Sequence, residues 1–327
     1  MPVQNQKKKP IQLHPSFRKT RDQLLILMPL CALSVWLYGF RPLIMYAIAS
    51  LLAVISDAAV AAVRKRHFDV TDLSSLCFAI MLTLMLPATC SYTVVAFGTL
   101  FTVLLGKHAF GGWGVSPFHP AAYGFAATAI CFPTTLFLYP QPFTKIGIAF
   151  HPAVELYEGP AATLKLGGKP DIEMVDLLLG NFVGPMGATF GLIIVASFIF
   201  MITHGEISWH VPVCFVGTCA LIAFLFPRIV SGRLESVLYE LCAGTLLFSA
   251  VHIAGDPGTA PSTPRARMVY GVILGAMTML FSHYGVFQQG ACFAVLLVSP
   301  LSSWLSRRFP AKGRTTKKEE EALTNAQ

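Results

Sequence analysis

Charge is what this sequence has least of. Of its 327 residues only 12% are Asp, Glu, Lys or Arg, while 54% are hydrophobic, so an ordinary water-soluble globule, with about a quarter of its residues charged, is excluded. Cysteine pairing is missing as well. Cys31, Cys77, Cys90, Cys131, Cys214, Cys219, Cys242 and Cys292 stand singly inside or at the edge of apolar runs, with no Cys-x-x-Cys pair and no neighbouring His pair. They read as small buried hydrophobes, and no metal site is assigned. There is no iron–sulfur cysteine pattern and no glycine-rich nucleotide fingerprint, so neither an iron–sulfur cluster nor NADH is expected on this chain. The basic start, MPVQNQKKKP, is not followed by a small-residue cleavage site, so the apolar run from Leu24 is expected to be a retained first transmembrane helix. The net charge of +8 sits at the two ends and in short loops, where membrane topology explains it and nucleic acid is not implied.

What is present is apolar length. A spanning helix needs about 20 apolar residues, and ten such stretches can be drawn, at about 23–40, 42–63, 71–87, 91–106, 119–138, 187–203, 209–227, 236–253, 267–283 and 288–305. Proline or glycine breaks them at Pro42, Pro87, Gly106, Pro140, Pro227 and Pro257, where the chain must leave helix near water. With both ends on the inner side, 18 of the 24 lysines and arginines fall on inner segments, which favours N-in, C-in. The expected fold is therefore an all-α integral membrane protein of about ten transmembrane helices.

The one long connection, 139–186, then lies on the outer face, between five spans and five spans of opposite orientation. Such a plan suggests two inverted five-helix repeats. Faint internal likeness supports it: LCFAIMLTL (76–84) against LCAGTLLF (241–248), and HPAAYGFA (119–126) against QQGACFAV (288–295). The expected organisation is a basic inner N-terminus (1–22), a first membrane half (23–138), the outer loop (139–186), a second membrane half (187–305) and an inner tail (306–327). The basic ends read as topology signals and anchors to the lipid bilayer.

Loops longer than about 15 residues in a compact protein are usually functional or disordered, and the many apolar residues of 139–186 disfavour disorder. A short helix is expected around Ile172–Leu179, with Asp171 near its start. In GPAATLKLGG, Thr163 stands among small residues that let a bulky group approach the backbone, and Lys165 supplies positive charge suited to a phosphate. By itself Thr163 reads equally as a loop threonine.

Four ordered blocks add what local reading cannot. KHAFGGWGVSPFHPAAYGFA (107–126), DLLLGNFVGPMGAT (176–189), ISWHVPVCF (207–215) and GDPGTAPSTPRARMVYGVILG (255–275) together resemble the RnfD family, a membrane component of the Rnf ion-translocating electron-transport complex, over about Leu24 to Leu305. The resemblance implies a flavin-carrying member of a bacterial inner-membrane complex that couples electron flow between ferredoxin and NAD to movement of Na+ or H+. Its implied partners are the other Rnf subunits (A, B, C, E and G) and a flavin transferase. It also implies FMN joined through its phosphate to Thr163 on the outer side. The attachment motif there reads Ser-Gly-Ala-Thr; here Pro160, Ala161, Ala162 and Thr163 keep the last two positions and depart at the first two.

The sister family, NqrB of the sodium-pumping NADH:quinone reductase, implies a second, non-covalent riboflavin near a Gly-x-Asn-x-Phe-Asn-Pro-Ala segment. In Gly114–Ala121 both asparagines are replaced, by Ser116 and His119, which keep hydrogen-bonding capacity; His119 reads equally as a helix cap. GDPGTAP matches the family's Asp-Pro-Val-Thr-Ser-Pro at Asp256, Pro257, Thr259 and Pro261, so Asp256 and Thr259 are expected to line the flavin or ion path, or else to form an Asx-capped turn. Asp57 and Glu240 lie inside apparent spans, where an ionisable group is a functional candidate by default; the plainer readings are that Asp57 reaches the interface or pairs near Arg64, and that Glu240 pairs with Arg233 or faces the outer water. No catalytic residue is assigned, since the chain alone is not a complete translocase. A non-redox channel or secondary transporter, and a scaffold without flavin, stay open as alternatives.

Overall fold

The computed structural model describes residues 16–149, 154–229, 232–285 and 288–310. The lysine run at 7–9 and the tail from 311 onward, both expected to be inner-side segments, lie outside the described residues. About 65% of the described residues are helical. The long helices are α1 (Phe17–Tyr38) and α2 (Arg41–Val63), then α3 (Ser74–Leu84) and α4 (Tyr92–Leu100), which continues as a π-helix over Phe101–His108. Then come α5 (Pro120–Cys131) and the short α6 (Pro133–Leu136). Proline at the first turn starts α2 and α5, where its missing N–H costs nothing.

The connection is folded. Strand β1 (Leu138–Pro140) pairs antiparallel with β2 (Leu156–Glu158), Tyr139 opposite Tyr157. Two short helices follow, α7 (Pro160–Lys165) and α8 (Met174–Leu179), the second within the stretch where a helix was expected. The remainder is α9 (Gly191–Thr203), α10 (His210–Leu225), α11 (Arg233–Cys242), α12 (Leu246–Phe248), a π-helix over Ser249–Ile253, α13 (Pro264–Tyr284), α14 (Gly290–Val298) and α15 (Leu301–Arg308).

Helix occurs in every stretch where a span was expected. Length and apolarity sufficient to cross a bilayer are met by α1 and α2, and by two further spans if each bent pair counts as one: α11 with Leu246–Ile253, bent by 64°, and α14 with α15, bent by 53°. The faces left outside are apolar: Leu43, Leu51, Val54, Ile55 and Val63 of α2 are exposed, a surface that suits lipid rather than water.

Small residues set the helix contacts. A Cβ on Gly124 would lie 1.8 Å from Thr102 Oγ1, and one on Gly98 would lie 2.6 Å from Thr128 Oγ1, so α4 and its π-helical continuation cross α5 through two facing Gly-xxx-Thr stripes. Gly271 and Gly275 do the same for α13, where added carbons would reach the carbonyls of Val211 and Phe215 on α10 at 2.8 Å. Close backbone approach of this kind is the usual packing device between membrane helices, where lipid removes the hydrophobic drive. A second, smaller core joins the connection to α11: Leu164, Leu177 and Phe182 pack with Ile229, Tyr239 and Cys242, and Tyr239 Oη donates to Ile172 O at 2.6 Å.

Candidate functional site

Thr163 is not in a loop but in α7. Pro160 opens that helix and Gly167, at φ +77°, closes it. Gly168 N donates to Thr163 O and Gly167 N to Leu164 O, both at 3.0 Å, the paired bonds of a Schellman ending. Gly168 has a second reason to lack a side chain, because its Cβ would sit 3.1 Å from Thr163 Cγ2. Among the described residues nothing hydrogen-bonds the Thr163 hydroxyl.

Thr163 lines an open cleft of about 650 Å³ with Gln141, Tyr157, Pro160, Asn181 and Phe182. That volume lies in the range of small-molecule sites. A half-buried threonine with a free hydroxyl, two aromatic rings and a backbone kept bare by glycine fit a phosphate-linked flavin, with Thr163 Oγ1 as the ester oxygen. Glu158, Asp171, Glu173 and Asp176 also border the cleft. A flavin phosphate joined to Thr163 would carry one negative charge instead of two, which would reduce repulsion from these carboxylates.

The other expected binding residues lie on the loop before α5 and the turn after Ile253. His119 precedes Pro120 at the start of α5, yet its side chain makes no capping bond. Its Nε2 lies 4.0 Å from Asp256 Oδ2, with both side chains buried. Neither His119 ring nitrogen, nor Asp256 Oδ2, nor Thr259 Oγ1 has a hydrogen-bond partner. Buried polar groups are normally satisfied, so this patch of four unmatched atoms has the donor and acceptor chemistry an isoalloxazine edge requires. Phe78 meets the His119 ring edge-on at 5.1 Å, and Trp113 Nε1 lies 3.5 Å from where a Cβ of Gly258 would stand.

Ser116 differs from its neighbours. Its hydroxyl contacts the carbonyls of Gly106 at 2.9 Å and Phe118 at 2.8 Å, so it holds the loop together. The turn at Asp256 is present too, with Thr259 N and Ala260 N donating to Asp256 O. The structure thus brings His119, Asp256 and Thr259 together, and Thr163 stands in a separate cleft.

Two acids in apparent spans find partners other than Arg64 and Arg233. Asp57 meets Lys107 at 3.4 Å and His108 Nε2 at 2.5 Å, and Arg64 instead donates to His108 O. Lys107, 1% exposed, also meets Asp72 at 2.8 Å and Ser75 Oγ at 2.7 Å. Asp72 stands in the turn ahead of α3, outside the helix. Burial opposes its ionisation, but Lys107 and Ser74 outweigh that and hold the carboxyl below its ordinary value. Glu240 pairs with Arg228 at 3.0 Å, while Arg233 lies over the Phe224 ring. An acid inside an apolar run was the available signal for both groups; the identity of the partner was not readable from spacing. His252, fully buried and near Ser197 Oγ at 3.3 Å, was missed altogether.

A bundle of apolar, glycine-packed helices with bent pairs and a folded connection bearing a ligand-sized cleft defines a polytopic membrane protein. The chain belongs to the NQR2, RnfD, RnfE family, whose model matches residues 14–310. Among similar proteins are three that carry the name of the D subunit of an ion-translocating oxidoreductase complex. That of Pectobacterium carotovorum subsp. carotovorum is 28% identical, covering 88% of this chain and 92% of its own length. That of Pectobacterium atrosepticum is 27% identical over 84% and 88%. That of Escherichia coli K12 is 27% identical over 90% and 94%.

Proposed function

We propose that this chain is the flavin-carrying membrane component of an ion-translocating oxidoreductase complex of the Rnf type, passing electrons between ferredoxin and NAD+ while Na+ or H+ crosses a bacterial inner membrane. The observation that carries the reading is Thr163, half-buried on the wall of a ligand-sized cleft, in a chain whose relatives are named as subunits of such complexes. FMN, joined there through its phosphate by a flavin transferase, supplies one- or two-electron redox chemistry. The protein holds its phosphate on α7, offers Tyr157 and Phe182 to the ring and keeps the α7 ending compact through Gly167 and Gly168. The patch of His119, Asp256 and Thr259 is the place for a second, non-covalent riboflavin, with Ser116 fixing the loop that presents His119. The other Rnf subunits (A, B, C, E and G) supply the iron–sulfur and nucleotide chemistry absent from this sequence.

The topology proposed with it is ten spans in two inverted repeats, N-in and C-in, with residues 139–186 outside. Its support is that α2 packs on α3 and α4 much as α10 packs on α11 and α13, and that the two likened segments, from His119 and from Gln288, lead into α5 and α14 at positions one residue apart in register.

The test is ultraviolet-excited flavin fluorescence of the chain in a denaturing gel after co-expression with a flavin transferase. A fluorescent band that disappears in Thr163→Ala is expected. A dark native band, from cells that flavinylate a control protein, would refute the covalent flavin and favour a non-redox transporter, which the bent helices also suit.

A further inference from the structure

Against Ala161 and Leu164 of α7 lies a small, partly open chamber of about 30 Å³, room for one or two water-sized occupants. The α11–α12 break at Ala243–Thr245 forms one wall, and Gln288 and Gly290 lie at the start of α14. Glu240 and Arg228 face it as an ion pair, their side chains only 5% and 10% exposed. Thr278 Oγ1, Gln288 Oε1 and Arg228 Nη2 have no hydrogen-bond partner at this place, and Glu240 Oε1 meets Arg228 Nε at 3.0 Å. Thr278 is 1% exposed, so bulk water does not satisfy its hydroxyl.

The Glu240 oxygen carries a formal charge, and those of Thr278 and Gln288 are neutral. A helix break adds carbonyls that the next turn would otherwise have taken, and non-helical backbone at membrane depth belongs where it lines a cavity. Three oxygens from Glu240, Thr278 and Gln288 around a space of this size suit a hard cation once the Arg228 guanidinium swings off the carboxylate.

We propose that this chamber binds a small monovalent cation, with Glu240, Thr278 and Gln288 as ligands and Arg228 as the tethered charge that balances Glu240 when the cation leaves. Cation and guanidinium compete for one carboxylate, so binding of one releases the other. Because α7 forms a wall, the exchange takes place against the helix that bears Thr163. The site rests on the reading above only in making the bound cation the translocated one; its binding chemistry does not need flavin.

The test uses the purified full-length chain in detergent and radiolabelled Na+ as probe. Saturable binding is expected in the native chain. Glu240→Gln should weaken it by about tenfold or more, and Thr278→Val by a smaller factor, as a charged and a neutral ligand are lost. Arg228→Gln should tighten it several-fold, since the competing charge is gone. No saturable binding by the native chain, an unchanged Glu240→Gln, or weakening by both Glu240→Gln and Arg228→Gln would overturn the proposal; the last pattern is that of a purely structural ion pair. Melting temperature, read from thiol exposure, identifies any variant that fails to fold, and Thr278→Val leaves the ion pair intact if the charged variants do. Flavin fluorescence of the same samples separates the two readings: a dark band with Na+ bound retires the flavin alone, and a bright band without Na+ binding retires the chamber alone.

Discussion

Replacing Lys107 by Met tests whether the charge cluster at the end of the π-helix holds the first half together. Lys107 is 1% exposed and its ammonium meets Asp72 at 2.8 Å, Ser75 at 2.7 Å and Asp57 at 3.4 Å. Methionine keeps most of the stem's volume and removes the charge, leaving two carboxylates whose side chains are 13% and 18% exposed. Breaking a buried pair costs roughly 3–5 kcal/mol. Asp57 keeps His108, and both acids retain some water, so the cost falls at or just below the bottom of that range, about 2–3 kcal/mol. At about 2–4 °C per kcal/mol for chains of this order, the melting temperature should fall by roughly 5–10 °C. A thiol-reactive dye measures it directly, because Cys77, Cys90, Cys219, Cys242 and Cys292 are buried and free and react only on unfolding. Adding Asp72→Asn to Lys107→Met removes one orphaned charge and should recover part of the loss, as expected for coupled neighbours. A single variant that melts with the native protein, or a double variant no better than the single, would refute the reasoning.

Three further outcomes follow from other contacts. Asp72 is held below the ordinary carboxylate value, so its contribution is present above the unfolded value of about 3.9 and is lost as pH falls through the lower folded one; the melting temperature should drop below about pH 4, and Asp72→Asn should flatten that drop. Arg41, 2% exposed, donates to the carbonyls of Ala88, Thr89, Cys90, Gly147 and Ile148, tying the start of the connection to the turn after α3. Lysine lacks the planar fork needed for this, so Arg41→Lys should speed proteolytic cleavage within the connection while Thr163→Ala leaves it unchanged. Gly106→Val should lower the yield of folded protein, since a Cβ there already lies 2.9 Å from Pro120 Cα and overpacking of this kind costs about 1–3 kcal/mol; Gly112→Ala, with open space around it but φ at +115°, should cost less.

The helices were legible because apolar runs bounded by proline leave a chain in a membrane few choices. Pro42, Pro120 and Pro264 mark starts within a residue or two of where α2, α5 and α13 begin. The Thr163 segment was legible as special, but its helix was not, since six residues between Pro160 and Gly167 are too few for a period to register. The breaks inside spans eight and ten, at Ala243–Thr245 and Ser299–Pro300, fall within stretches read as continuous, although Gly244 and Pro300 are the helix-breaking signals that mark them. Ion-pair partners were hidden for another reason. Asp57 and Lys107 are 50 residues apart, and choosing Lys107 over Arg64 depends on how α2 and the π-helix are rotated towards each other. Of the expected ligands, His119 and Asp256 were marked separately and through family likeness, and their approach across 137 positions was visible only in the fold.

That rotation has a consequence for how the chain tolerates changes in length. Over Phe101–His108 the backbone bonds reach five residues back, as Ala109 N does to Leu104 O, so the stretch holds roughly one residue more than an α-helix of equal height. A one-residue deletion near Val103 would therefore tighten the coil to an ordinary helix and be absorbed within the segment. The same deletion in α2 has no such slack. It would turn everything beyond it by about 100°, carrying Leu51, Val54 and Ile55 out of the lipid-facing surface and swinging Asp57 away from Lys107. The wide turn acts as a store of register, and it lies directly before the residues that must arrive in a fixed orientation.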